Sequence, residues 1–338
     1  MTLVSRKVAS LRDAAAFLVR DWREADSDLL RAWYDTERQH WHDELAWDTS
    51  WTWATIERAR VTWGLPGLIA VDESGRMQGW TFWMLESGTL NVGGLTAVGD
   101  AATAALLEGI LDAGARAEAD ATSLFILDRA SGLDAALGAR GFDLERFLYL
   151  SVPLVASGFP GPPKPQRGEG GSRPDVTAVA SLLHASYAPG AALHFAPHGT
   201  MEEWTSYAKG LVDQRACGVV DPDATRVVGD ERGLQALALV TSIAPETAHL
   251  AQLAVRPDCR GRRLAATLLE EACGRAAASG KAQMTLLVGE SNAAARRLYE
   301  SRGFTQQATF TAARCQVARL SSPGVPLRTA GNCPALVR

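Results

Sequence analysis

Apolar positions along the chain fall into two similar series. In the first, a strand-like run over Leu90–Val98 leads to an alanine-rich stretch of helical period, Ala101–Ala117, and then to a second strand-like run, Ser123–Leu127. In the second, Ala248–Val255 leads to Leu264–Ala278 and then to Met284–Val288. Each series closes on a short helical segment ending in Arg-Gly-Phe. RASGLDAALGARGF (Arg129–Phe142) aligns without a gap on SNAAARRLYESRGF (Ser291–Phe304), 162 residues further on. Leu106-Leu107-Glu108 and Leu268-Leu269-Glu270 stand at that same offset. A period this long is a duplicated domain, not a solenoid repeat. Strand and helix patterns in this order predict an α/β (α+β, mixed-sheet) architecture in two tandem domains.

The stretch Ser157–Pro174, SGFPGPPKPQRGEGGSRP, is too rich in proline and glycine for a helix or a central strand and reads as a linker. The expected organisation is a first domain over 1–156, a linker over 157–174, a second domain over 175–318 and an irregular tail over 319–338. A chain of 338 residues accommodates two such domains. Its net charge of −4 argues against a nucleic-acid binder. No apolar run approaches the ~20 residues of a membrane span, and the first residues lack the core of a signal peptide. Cys217, Cys259, Cys273, Cys315 and Cys333 form no CxxC pair, so reduced thiols in a cytoplasm are expected, with no metal site.

Chemistry concentrates in the second half. The apolar run ends in Leu253-Ala254-Val255, Arg256-Pro257 stops it, and a helical pattern resumes after Arg260-Gly261-Arg262-Arg263-Leu264-Ala265. A short glycine-containing loop entering a helix leaves backbone N–H groups unpaired at the positive end of the helix dipole, which suits a pyrophosphate. Arg260, Arg262 and Arg263 add phosphate-matching charge. The alternative for this stretch alone is an arginine-rich surface helix.

The second segment, Ser291–Phe304, carries Asn292 and then Leu298-Tyr299 ahead of Gly303-Phe304. Together the two segments resemble the GNAT (GCN5-related) N-acetyltransferase superfamily, with its L-A-V-x-P-x-x-R-G-x-G-x-G/A loop and N-x-x-A-x-x-L-Y-x-x-x-G-F segment. One departure is Arg263, which stands where the loop's first signature glycine is expected. The resemblance implies that backbone groups of Leu253, Ala254 and Val255 bind the pantetheine arm of acetyl-CoA as an added strand. It implies that the amides of Gly261 to Ala265, with Arg260, Arg262, Arg263 and Leu264 among them, hold the pyrophosphate. Asn292 would then contact the arm, and Tyr299 would protonate the departing thiolate. The family often places a glutamate four residues before its Leu-Ala-Val; here His249 stands there, a candidate base or a strand histidine satisfied by a neighbour. Glu290 is a weaker candidate, and Leu287 occupies a position where some relatives carry a glutamate.

The first half lacks these groups. Ala130 falls opposite Asn292, no tyrosine matches Tyr299, and Val98-Gly99-Asp100 replaces the arginine-rich loop. Resemblance to tandem GNAT enzymes, mycothiol synthase among them, implies one catalytic C-terminal domain and a degenerate N-terminal partner that sometimes retains a second acyl-CoA. Nine of the ten tryptophans precede residue 84, and core packing explains them better than an acceptor cleft. Thr200 and Glu203 form a capping box opening a helix. The expectation is transfer of an acetyl group to a small-molecule amine, in antibiotic or other secondary metabolism, by a monomer or homodimer. The alternatives are a mycothiol synthase-type activity and a non-catalytic acyl-CoA sensor.

Overall fold

The computed structural model describes residues 17–128, 133–154, 173–187 and 194–316. The linker assigned to 157–174 therefore lies almost wholly outside the described residues, and the tail of 319–338 and Ala130 lie outside them entirely. The chain divides into two compact units that are not contiguous in sequence. The first unit takes the described parts of 1–39, 50–146 and 310–336; the second takes 40–49 and the described parts of 147–309. Each unit thus completes its sheet with a strand from beyond the sequence segment that supplies the rest of it.

In the first unit, β1 (Leu18–Asp21), β2 (Gly67–Val71), β3 (Met77–Glu86) and β4 (Thr89–Ala97) pair antiparallel in that order. β4 then pairs parallel with β5 (Ala121–Leu127), and residues 310–316 run antiparallel along β5's other edge. The helices are α1 (Ser27–Leu45), whose last turns belong to the second unit, α2 (Trp53–Val61), α3 (Gly99–Arg116) and α4 (Leu133–Gly138). Trp22, Tyr34, Trp53, Trp80 and Phe82 pack into one core cluster, so much of the tryptophan excess is core material. Arg60 lies fully buried beside it. Its guanidinium donates to the carbonyls of Trp22 and Ala25 and to the Glu57 carboxylate, which joins α2 to the chain before α1.

In the second unit, residues 147–153 of β6 (Asp143–Pro153) run antiparallel to β11 (Gln283–Gly289), and β11 runs parallel to β10 (Thr247–Val255). β10 pairs antiparallel with β9 (Gly233–Ala244), which also holds β7 (Val219–Val220) and β8 (Arg226–Asp230). One face of this sheet is covered by α7 (Leu264–Ala278) and α8 (Ala293–Glu300) through a core that includes Leu250, Leu268, Leu286, Val288 and Tyr299. The other is covered by α5 (Val176–Ser186) and α6 (Met201–Val212) through Leu182, Trp204, Leu211, Leu237 and Leu239. The remaining strand, β12 (Thr305–Gln316), begins in this unit and ends in the first. Thr200 and Glu203 form the capping box expected for α6.

The duplication is visible in detail. Arg140 pairs with Glu108 at 2.6 Å, and Arg302 with Glu270 at 2.7 Å. In each case the arginine of the Arg-Gly-Phe turn is tied to the glutamate of the long helix. The glycine that follows has a positive φ in both copies, +78° at Gly141 and +84° at Gly303. That conformation is open to glycine at little cost, which accounts for the residue between arginine and phenylalanine in each repeat.

Candidate active site

The second unit's sheet opens where β10 and β11 part. They pair from Thr247↔Gln283 to Leu250↔Leu286 and no further. Yet β10 stays paired with β9 as far as Val255↔Ala236, and β11 with β6 as far as Gly289↔Phe147. The facing edges of both strands are therefore free beyond Leu250 and Leu286. Leu253, Ala254 and Val255 lie on the open edge of β10, where an extended ligand can add as a strand.

A one-residue bulge marks the parting. Register in β10 slips between Leu250 and Gln252, leaving Ala251 unopposed. Alternation along a strand would put position 252 on the same face as Leu250, toward α7 and α8. The bulge turns Gln252 to the opposite face instead. There its Nε2 donates to Tyr207 Oη at 2.7 Å, and Tyr187 Oη donates to its Oε1 at 3.2 Å.

Past Val255 the chain makes a single 3₁₀ turn over Pro257–Cys259 and enters α7 at Leu264. Gly261 has φ +77° and Arg263 φ +64°. Arg263 thus adopts the left-handed conformation that suits the glycine expected at its position, at a cost of about 1–2 kcal/mol for a residue with a Cβ. Leu264, Ala265 and Ala266 open the helix, where N–H groups have no intrahelical carbonyl. Arg260 is braced by the Ser186 carbonyl at 2.6 Å, and Arg262 by the Asp258 carbonyl at 3.3 Å. The Ser186 hydroxyl is buried with no hydrogen-bond partner among the described residues.

Tyr299 is 6% exposed on α8, in the cluster that also holds Leu250, Leu286 and Val288, the residues flanking the parting. Burial, with a smaller contribution from Tyr187, raises its phenol well above the ordinary tyrosine range, so it is a proton donor at neutral pH. Its hydroxyl bonds to none of the described residues. Asn292 caps α8, its Oδ1 accepting from the Ala295 N–H at 3.2 Å. Glu290 follows β11 at an exposed position.

His249 is in the second of the two settings its sequence position allowed, that of a strand histidine satisfied by a neighbour. It is 2% exposed, with Nδ1 2.9 Å from Thr285 Oγ1. Trp47 lies over the ring at 5.1 Å between centroids, and Tyr149 stacks at 6.1 Å. The segment over 40–49 is held down by the Asp48 N–H, which donates to the Ile243 carbonyl, and by Tyr149 Oη, which donates to the Leu45 carbonyl. Burial pushes the imidazole pKa down to about 3. Such a group has little basicity toward an ammonium at neutral pH. No local sequence signal near His249 announces the cover, because it comes from a segment some two hundred residues earlier in the chain.

The first unit repeats the strand geometry. β4 and β5 pair from Thr89↔Ala121 to Val92↔Leu124 and then part. A bulge at Gly93 falls at the matching point of β4. A Cβ there would come within 2.2 Å of the Phe82 ring, which packs directly on the bulge. α3 begins at Gly99, only two residues past the end of β4, with Asp100 in its first turn. Leu137 stands where the 162-residue offset places Tyr299.

Among the described residues no cluster of three or more His, Cys, Asp or Glu is placed to hold a metal, and no helix is long and apolar enough to cross a membrane. A splayed parallel pair beside a bulge thus leads, at its open end, to the start of α7. Residues 190–304 match the model of the Acetyltransferase (GNAT) family, so this part of the chain is a GNAT acetyltransferase domain, of a family that uses acetyl-CoA. The fold is similar to that of a GCN5-related N-acetyltransferase from Sphaerobacter thermophilus, at 17% identity and a TM-score of 0.57 over 92% of this chain and 98% of that one. It is also similar to the GCN5-related glucosamine N-acetyltransferase region of a fungal multi-domain GH3 beta-N-acetylglucosaminidase, at 15% identity and a TM-score of 0.54 over 88% of this chain and 38% of that one. A tandem GNAT protein from the clavulanic acid biosynthesis pathway aligns at 18% identity and a TM-score of 0.49, over 75% of this chain and 82% of that one. No curated protein matches by sequence.

Proposed function

We propose that the second unit transfers an acetyl group from acetyl-CoA to the amino group of a small molecule, and that the first unit has no catalytic centre of its own. What supports this reading is the free strand edge where β10 and β11 part, together with a Tyr299 hydroxyl that bonds to none of the described residues, in the cluster that also holds Leu250 and Leu286. The residues fit the thioester donor. The edge of Leu253–Val255 would take the pantetheine arm, and the buried Ser186 hydroxyl, unpartnered among the described residues, offers it a polar partner. The start of α7 with Arg260, Arg262 and Arg263 would take the pyrophosphate. The amine's lone pair attacks the thioester carbon, the carbon–sulfur bond breaks, and Tyr299 passes its proton to the departing sulfur. The proton lost by the nitrogen returns to the tyrosinate through solvent. With His249 enclosed and weakly basic, the amine enters as its free base.

Thiol release from acetyl-CoA across a panel of primary amines tests the reading, the panel including amines from antibiotic pathways and of the mycothiol type. Tyr299→Phe should lower kcat by ~10²-fold while leaving acetyl-CoA affinity unchanged, because the phenol acts as the thiolate leaves. Turnover unaffected by that substitution would make Tyr299 a packing residue.

A further inference from the structure

We propose that the Gln252 side chain is the seat of the acceptor's amino group, held in one orientation by Tyr187 and Tyr207. The inference rests on the acetyltransfer reading above and names the residue that positions its nucleophile.

The argument begins with the bulge. With Ala251 paired as an ordinary residue of the strand, alternation would aim Gln252 into the apolar cluster that holds Leu250, Leu268 and Tyr299. A carboxamide without partners there would be costly. The bulge sends it to the α5/α6 face, two residues past Leu250, the last position at which β10 pairs with β11. The open edge from Ala251 to Val255 spans about 13 Å at ~3.3 Å per residue. A donor anchored by its phosphates at the start of α7 and laid along that edge has its thioester at the Ala251 end, beside Gln252.

The amide is oriented by its neighbours. Tyr207 Oη accepts from Nε2 and Tyr187 Oη donates to Oε1, so each end of the amide is held by a hydrogen bond. Burial is the chief cause that holds Tyr207 well above the usual tyrosine range, so this phenol stays neutral at working pH. Oε1 keeps a second lone pair, and Nε2 keeps a second N–H. An incoming amine can donate one N–H to that lone pair, which turns its own lone pair toward the thioester carbon. The surroundings are rings: Tyr187 stacks on Trp204 at 5.0 Å, and Phe195 meets Tyr207 at 5.1 Å and Phe147 at 5.7 Å. Benzylamine and tyramine are therefore suitable acceptor probes.

Gln252 touches the substrate's nitrogen but exchanges no proton with it; Tyr187 and Tyr207 are positioning residues. The experiment measures CoA release with these two amines and acetyl-CoA affinity by calorimetry, for the full chain and its variants. Gln252→Leu should reduce kcat/KM for the amine roughly 10-fold or more, since a positioned hydrogen bond is lost, with acetyl-CoA affinity unchanged as the control for folding. Tyr187→Phe should reduce kcat/KM in the otherwise unaltered chain and cause no further loss in Gln252→Leu. Gln252→Glu should move the rise of kcat/KM to lower pH, because a carboxylate at that point accepts a proton from the ammonium form, an effect that altered packing alone would not produce. If the unaltered protein turns over either amine and Gln252→Leu matches it within about twofold, the seat is refuted while acetyltransfer stands. If the unaltered protein releases no CoA with any amine, the transferase reading fails and the seat with it.

Discussion

Protonation of His249 gives a direct measure of how firmly the 40–49 segment encloses it. The imidazole is 2% exposed, between Trp47, Tyr149 and Thr285, and burial takes its pKa from 6.5 to about 3. In the unfolded chain the ordinary value of ~6.5 returns. Because the folded value is the lower one, the unfolded state binds more protons below pH ~6.5, and stability falls as the pH is lowered from there toward 3. Integrating between those two values gives a loss of about 2 kcal/mol between pH 7 and pH 5 from this one residue. His249→Gln removes the titration and leaves every other group in place. Urea unfolding of both proteins at pH 7 and pH 5 provides the comparison, and the unaltered protein should lose about 2 kcal/mol more than the variant. Equal losses would mean that water reaches the imidazole, that Trp47 does not seal it, and that His249 returns as a candidate base.

Two further outcomes follow from the backbone and the core. Arg263→Gly should leave acetyl-CoA affinity within a few-fold, since glycine relieves the left-handed strain while one charge is lost; Arg263→Val should weaken it by 10-fold or more, because a β-branched residue resists φ +64°. Equal titrations of the two variants by calorimetry would show that the side chain, not the loop conformation, matters. Arg60→Met should destabilise the first unit by about 3–5 kcal/mol in urea unfolding, because Glu57 and the Trp22 and Ala25 carbonyls lose their buried donor. A loss below about 1 kcal/mol would show that water replaces the guanidinium.

The sequence by itself determined what depends on local pattern. Period and punctuation placed β10, α7, β11 and α8, because each is decided by neighbours a few residues away. The 162-residue offset was enough to show the duplication, and the Arg140–Glu108 and Arg302–Glu270 pairs are its physical trace. The starts of α7 at Leu264 and of α8 at Ala293 were legible because backbone geometry at a helix start constrains residue type over short range. The tertiary structure alone decided which residues are near one another from afar. Residues 147–153 and 310–316 each complete a sheet distant in sequence, since strand edges pair by proximity and alternation that no local signal encodes. Trp47 reached His249 in the same way and changed its chemistry through burial. Gln252 escaped notice because its importance comes from a one-residue slip in β10 and from two tyrosines 45 and 65 residues away. A bulge is settled by the pairing of two strands, and side-chain direction follows from it; neither can be read from one strand alone.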